Sequence, residues 1–297
     1  GAIIPDEVET ALRHNVQINL HSIEMLKEVE QVAATLGENA NVQLCIDSGM
    51  GRLGAQPQQA QSIFQAIQTS PLINLTGINT HFSSAGEVDD TFTMQQLKQF
   101  HQVTTLAREM GFESLTIHAA NHTATLRYPQ ARFDMVRPGL ALYGLSGAAN
   151  DIDRELERAL SLKTQVAYVK DVAQGTPISY DRLWHTPKDT RIATLPIGYN
   201  DGYPVALTNN NHVLIHGKPA PVVGRVSMDY IMIDVGHIPS VARGDTVTLI
   251  GQDGDHEIRL EDIASKLGTV PYELTCGLGR RVKRVYVGRT IALPQAA

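Results

Sequence analysis

The sequence predicts an α/β plus β protein: a partial (β/α)8 barrel, with about five of the eight strands, followed by a mostly antiparallel β domain. Three observations point there. The first half alternates short apolar runs with segments of helical period, as parallel strands and their crossover helices do. Four of those runs end in residues suited to chemistry, Asp47, His81, His118 with Asn121, and Arg137, and in a β/α barrel the loops after the strands carry the active site. Beyond about residue 155 the strand-like runs are separated by Gly, Asp and Asn turns.

Five strands are expected in the first half: Val16 to Leu20, Val42 to Asp47, Gly77 to His81, Leu115 to His118, and Phe133 to Arg137. Ile23, Leu26, Val29, Ala33 and Leu36 recur at helical spacing before Gly37, which suits a helix stop. Leu97, Phe100, Val103, Ala107 and Met110 form a second such stripe, ending at Gly111. Both read as core-facing helices. A closed barrel would need three more strand and helix units, expected ahead of Gly1. In the second half the expected strands are Lys163 to Val169, Arg191 to Pro196, His212 to His216, Pro221 to Val235 and Asp245 to Ile250. One helix, Leu260 to Leu267, interrupts them with Leu260, Ile263, Ala264 and Leu267 on one face. The boundary is expected in the charged stretch Asp151 to Arg158, dividing residues 1–155 from 156–297.

At 297 residues the chain can bury a sizeable core. Its net charge of -6 is spread over mixed-sign residues without a basic block, which argues against nucleic acid or an anionic membrane as the main target. Cys45 and Cys276, the only cysteines, lie far apart and in no metal-ligand spacing. No metal is expected, and a reducing cytoplasm fits best. No apolar run reaches the ~18 residues that span a bilayer, and the amino terminus lacks the plan of a secretory signal. Gly1 in place of Met suggests processing or a non-native start.

Six blocks in order, LCIDSGMGRLG (44 to 54), INTHFSSA (78 to 85), FDMVRPGLALYG (133 to 144), PIGYNDGYP (196 to 204), PVVGRVSMDY (221 to 230) and PYELTCGLGRRVKRVY (271 to 286), resemble alanine racemase. Each block alone is only moderately specific; their joint order across nearly the whole chain makes the resemblance strong. It implies a pyridoxal 5'-phosphate enzyme that interconverts L- and D-alanine, built as a homodimer in which the β domain of one subunit completes the site of the other.

Racemisation removes the α-proton on one face of the carbon and returns it on the other, so two bases must flank it. The resemblance implies that one is the lysine that anchors the cofactor, at the end of a first barrel strand, and the other a tyrosine from the partner's β domain, matched by Tyr180 in PISYDRLW. Tyrosine, with a reference pKa of ~10, needs its phenolate stabilised to act as a base. The resemblance places His81 next to that tyrosine and Arg137 beyond it, at the cofactor's pyridine nitrogen. A guanidinium does not readily give up a proton, so the nitrogen stays unprotonated and racemisation is favoured over side reactions. By the same resemblance Arg52 positions the substrate carboxylate, with Met228 and Asp229 on the opposite wall. The cofactor is expected among His118, Asn121, His122, Arg137, Gly139, Leu140 and Tyr272, its phosphate meeting the backbone at Gly139 and Leu140 and the Tyr272 hydroxyl.

Several positions depart from the family's pattern. His122 stands where a serine is usual, Asp181 where a glycine is usual, and Asn200 where alanine is common. Cys45 replaces a lysine that many members carbamylate to orient the neighbouring arginine, leaving a bound anion or another side chain to orient Arg52. None of the eight lysines, Lys27, Lys98, Lys163, Lys170, Lys188, Lys218, Lys266 and Lys283, stands in the family's anchoring motif. The sequence therefore reads as an alanine racemase whose anchor is encoded earlier, a truncated chain inactive as written. The alternatives are a non-catalytic binding module that keeps the fold, or a related pyridoxal-phosphate decarboxylase of basic amino acids.

Overall fold

The computed structural model describes residues 1–145 and 156–288. Contacts divide the chain into two compact units, Gly1–Glu157 and Arg158–Ala297. The boundary expected after residue 155, with most of the charged stretch behind it, lies outside the described residues.

The first unit is α/β. In chain order it carries α1 (Pro5–Arg13), β1 (Ile18–Leu20), α2 (Ile23–Leu36), β2 (Ala40–Cys45), α3 (Ala60–Thr69), β3 (Ile73–Asn79), α4 (Thr91–Glu109), β4 (Thr116–His118) and α5 (His122–Arg127). The strands form one parallel sheet in the order β1-β2-β3-β4. Ser22 caps α2 through its Oγ, which accepts from the Met25 N–H at 3.2 Å, and Gly37 ends the helix at φ 68°. The apolar stripes read from the sequence supply the core: Leu26, Val29 and Ala33 of α2 and Leu97, Phe100, Val103 and Ala107 of α4 are buried with Leu20, Val42, Leu44 and Ile78 of the strands.

The expected fifth strand is absent, so the sheet holds four strands where five were read. Phe133 takes φ 45°, outside the extended region, and packs edge-on against Phe100 at 5.5 Å. Isolated backbone bonds, not a ladder, tie the segment to its neighbour: Asp134 N–H to the Ile117 carbonyl at 3.0 Å and Arg137 N–H to the Ala120 carbonyl at 2.9 Å, with the Ile117 N–H donating to Asp134 Oδ2 at 2.8 Å. It runs beside β4 as a loop that delivers Arg137.

The second unit is antiparallel. It contains β5 (Leu162–Gln165), β6 (Tyr168–Val172), β7 (Pro177–Ile178), β8 (Trp184–His185), β9 (Thr190–Leu195), β10 (His212–Ile215), β11 (Lys218–Pro221), β12 (Ile231–Asp234), β13 (Thr246–Asp253) and β14 (His256–Ile258), then α6 (Leu260–Leu267) and α7 (Pro271–Cys276). One sheet runs β11-β10-β13-β14 with β5 also on β13, a second runs β12-β9-β6, and β7 and β8 make a hairpin. The run read as one strand from Lys163 to Val169 is two, because the chain changes sheets at the buried Val166, where β5 leaves β13 and β6 joins β9. The run from Pro221 to Val235 is also two: Pro221 has no N–H to extend β11, and a loop from Gly224 to Tyr230 intervenes before β12. The helix expected at Leu260 to Leu267 is α6. Among the described residues, no helix is long and apolar enough to cross a membrane.

Candidate active site

The polar side of the parallel sheet is built by alternation. In β2, Val42 and Leu44 are buried in the core while Asn41, Gln43 and Cys45 face the other way. Asn19, Asn79 and His118 share that face by register, since Asn19 lies beside Gln43, and Cys45 beside Asn79 beside His118. Where β2 and β3 end, a cavity of about 210 Å³ opens, lined by Cys45, Arg52, Thr80, His81, His118 and Arg137, with Asn19, His21, Met50 and Asn79 at its sides.

The loop after β2 presents Arg52. Asp47 does not face the cavity chemistry expected of a strand-end acid; its Oδ1 accepts from the N–H groups of Gly49 and Gly51, both at 3.0 Å. Burial pushes its carboxyl up, but these N–H donors outweigh that and hold it below the usual carboxylate range. Gly54 closes the loop at φ 122°, and a Cβ there would sit 2.5 Å from the Asp47 nitrogen, so only glycine lets the loop fold back on itself. Arg52 is exposed and makes no hydrogen bond or ion pair with any described residue.

Arg137 is held from several sides. Its Nη2 donates to the Thr80 carbonyl at 2.7 Å, to the Ala119 carbonyl at 3.1 Å and to His81 Nδ1 at 3.3 Å, and its Nη1 donates to His118 Nδ1. Its Nε–H has no partner among the described residues. Burial first, and the Arg137 charge second, push both His118 and His81 down to about 4, so both rings are neutral at pH 7. Burial pulls Arg137 itself down too, and its charge survives because a guanidinium starts so high. Burial raises the Cys45 thiol, the neighbouring Arg137 opposing it, and Cys45 Sγ lies 3.8 Å from the Leu53 carbonyl. That thiol is not a ready anion.

The remaining first-unit residues sit apart from this lining. Asn121 caps α5: its Oδ1 accepts from the Ala124 N–H at 3.0 Å, and its Nδ2 donates to the Phe82 carbonyl at 3.2 Å. His122 opens α5 with its Nε2 2.8 Å from Thr123 Oγ1. Gly139, at φ 49°, begins a short 3-10 turn running to Tyr143, with Leu140 buried beneath it.

In the second unit the loop between β11 and β12 carries Met228, exposed, and Asp229. Gly198 packs directly under it, where a Cβ would meet the Ser227 carbonyl at 2.3 Å and the Met228 carbonyl at 2.4 Å. Arg281 bridges the buried Asp201, at 2.6 Å, to Asp229. Tyr180 is 68% exposed on a turn in which Ser179, Asp181 and Arg182 all have positive φ, at 66°, 57° and 51°. An ion pair between Asp181 and Arg225 and a bond from Ser179 Oγ to the Arg225 carbonyl at 2.6 Å fasten that turn to the Met228 loop. Tyr272 lies on α7.

The family model "Alanine racemase, N-terminal domain" matches residues 1–147, and "Alanine racemase, C-terminal domain" matches residues 159–286. The chain belongs to the alanine racemase family. The alanine racemase of Desulforamulus reducens is 39% identical over 292 residues, which cover 97% of this chain and 78% of that protein. The solved alanine racemase of Clostridium difficile 630 superposes with a TM-score of 0.91 at 35% identity, over 97% of this chain and 75% of its own. That of Bartonella henselae, solved with covalently bound pyridoxal phosphate, gives 0.84 at 25% identity, over 96% of this chain and 77% of its own.

Arg137 keeps an unused Nε–H, and Arg52 an unused fork, beside the same cavity. Among the described residues lining that cavity there is no lysine. The residues overlooked in the sequence are Asn19, Gln43, Asn79 and Thr80. A signal for Asn19 and Gln43 existed: QINLH (17 to 21) and NVQLCID (41 to 47) alternate polar with apolar, the mark of a strand with one polar face.

Proposed function

We propose that this protein interconverts L- and D-alanine by a two-base mechanism with pyridoxal 5'-phosphate, and that the parallel sheet is an arc of a β/α barrel. The observation that carries the reading is Arg137 lodged between two neutral histidines beside the cavity. When bound, the cofactor supplies the electron sink that makes the α-proton of alanine removable. Arg137, a donor without an acceptor, would hold the pyridine nitrogen and leave it unprotonated. His81, whose Nδ1 accepts from Arg137, carries its proton on Nε2 and donates it to the phenolic oxygen of Tyr180 from a second copy of the chain. That donation stabilises the phenolate, which would take the α-proton from one face, while the anchoring lysine would supply a proton on the opposite face.

Arg52 binds the substrate carboxylate with its free fork, and Met228 and Asp229 of the second copy wall the cleft opposite. The phosphate would be held by the backbone N–H groups of Gly139 and Leu140 with Asn121, His122 and the Tyr272 hydroxyl. The active form is a homodimer in the cytoplasm, residues 1–155 holding the cofactor and residues 156–297 completing the neighbour's site. The covalent anchor is none of the eight lysines of this sequence.

Two measurements test the reading. The protein loaded with pyridoxal phosphate is expected to convert either alanine enantiomer to the racemate, and Tyr180→Phe to slow exchange by ~100-fold or more, the usual contribution of a positioned base. Borohydride reduction of the 297-residue chain with the cofactor, followed by peptide mapping, is expected to label no lysine stoichiometrically. Absence of racemisation would reject the activity, and a stoichiometric adduct on any of the eight would reject the anchor assignment.

A further inference from the structure

We propose that Gln43 is a positioning residue for this reaction: its side-chain carbonyl locks His118 as the Nε2–H tautomer, whose bare Nδ1 then holds the Arg137 guanidinium in place. The inference rests on the racemase reading for its purpose, though not for its geometry. His118 Nε2 lies 2.7 Å from Gln43 Oε1, while His118 Nδ1 receives Arg137 Nη1.

The proton positions follow from Arg137. A guanidinium only donates, so His118 Nδ1 must accept. A neutral imidazole with an accepting Nδ1 carries its proton on Nε2, and the group facing Nε2 must itself accept. Gln43 meets that need only with its oxygen toward the ring, which turns its amide nitrogen toward Gln17 Oε1, 2.8 Å away. The rest of the polar row agrees. Asn79 Nδ2 donates to Gln43 Oε1 at 3.2 Å and to Asn19 Oδ1 at 2.7 Å, and Thr76 Oγ1 donates to Gln17 Oε1 at 3.1 Å. Turning the Gln43 amide over would set a donor against Nε2–H, or push the ring proton to Nδ1 against Arg137. One orientation satisfies every partner from β1 to β4.

Burial, which keeps His118 neutral near pH 7, makes the arrangement consequential. A neutral ring can take either tautomer, and only one of them receives Arg137. Gln43 touches neither cofactor nor substrate by this account; it acts through His118.

The test is nitrogen NMR of the histidine rings in the full chain labelled with 15N-histidine, His118 being identified by its loss in His118→Asn. The wild-type ring is expected to show a protonated Nε2 and an unprotonated Nδ1 at neutral pH. Gln43→Leu should shift population to the Nδ1–H form, whereas Gln43→Glu, which keeps the acceptor, should leave Nε2 protonated. In the racemising protein Gln43→Leu should lower kcat about tenfold with KM for alanine within about twofold, as loss of one charge-assisted bond implies. A wild-type Nδ1–H ring, or a Gln43→Leu ring with the tautomer unchanged, would overturn the proposal. The ring signals are read without substrate, so an Nε2–H ring in a protein that fails to racemise alanine would reject the activity and not the tautomer assignment.

Discussion

Replacing Arg137 with leucine isolates what the guanidinium does for the fold. Thr80 and Ala119, whose carbonyls it serves, are 1% and 0% exposed, and no other described group donates to those oxygens. Each buried carbonyl left without a donor costs ~1–3 kcal/mol. The two together would cost about 2–6 kcal/mol, and water entering through the adjoining cavity brings the expectation to about 3 kcal/mol for Arg137→Leu. Arg137→Lys, whose ammonium can reach some of these acceptors but lacks the planar fork, should recover about half of that. Urea unfolding followed by far-ultraviolet circular dichroism reads the first unit, where most of the helix lies. The single tryptophan, Trp184, reads the second through its fluorescence. All of the Arg137 partners lie in the first unit, so the helical transition should move and the tryptophan transition should move less. A loss below ~1 kcal/mol in the helical transition would refute the claim that these bonds are made and buried.

Two further outcomes follow from the geometry. Gly198→Ala would drive a Cβ to within 2.4 Å of the Ser227 and Met228 carbonyls, so the Met228 loop must shift; a rise in KM for alanine by severalfold and a lower melting temperature for the second unit are expected from steady-state kinetics and a thermal scan. For pH, His81 and His118 are pulled from 6.5 to about 4 in the folded protein, so the unfolded chain binds their protons first. Stability from this source is complete above about pH 6.5 and is lost as pH falls through about 4, with a slope of at most ~1.4 kcal/mol per pH unit for each ring. His118→Asn should flatten the urea-midpoint profile across that window, and an unchanged profile would show that the ring is not buried neutral.

Much of the fold was legible because its signals are local. The α2 and α4 stripes, the Gly37 stop and α6 depend on spacing along one segment, and each formed where the residues placed it. The errors fall where the deciding contact is distant. Phe133 to Arg137 has the composition of a strand, yet it is pinned by Asp134 to Ile117 and by Phe133 against Phe100, neither visible along the run. Lys163 to Val169 contains no turn residue, so nothing local announces that Val166 is where the chain passes from one sheet to the other.

The candidate site divides along the same line. His81 and His118 were legible as strand-end residues, because in a parallel sheet successive strand ends converge on one edge whatever the loops do, whereas Arg52 was read from its sequence block and Arg137 from a strand that is a loop. The support behind them was marked only by the alternation of two short runs, which says that a polar face exists and not what it holds. Gln43, Asn79 and Asn19 lie within strands, and in a run that also feeds an apolar core their polar character reads as incidental until the register sets them side by side. The second-unit residues pose the opposite problem. Tyr180 is named by its motif, but its turn departs from the family at Asp181, a residue at φ 57° where glycine would be relaxed, and only the fold shows the ion pair with Arg225 that accompanies this departure. A motif therefore names side chains, while the residues around them, Gln43 behind His118 and Asp181 paired with Arg225 beside Tyr180, show how this chain holds them.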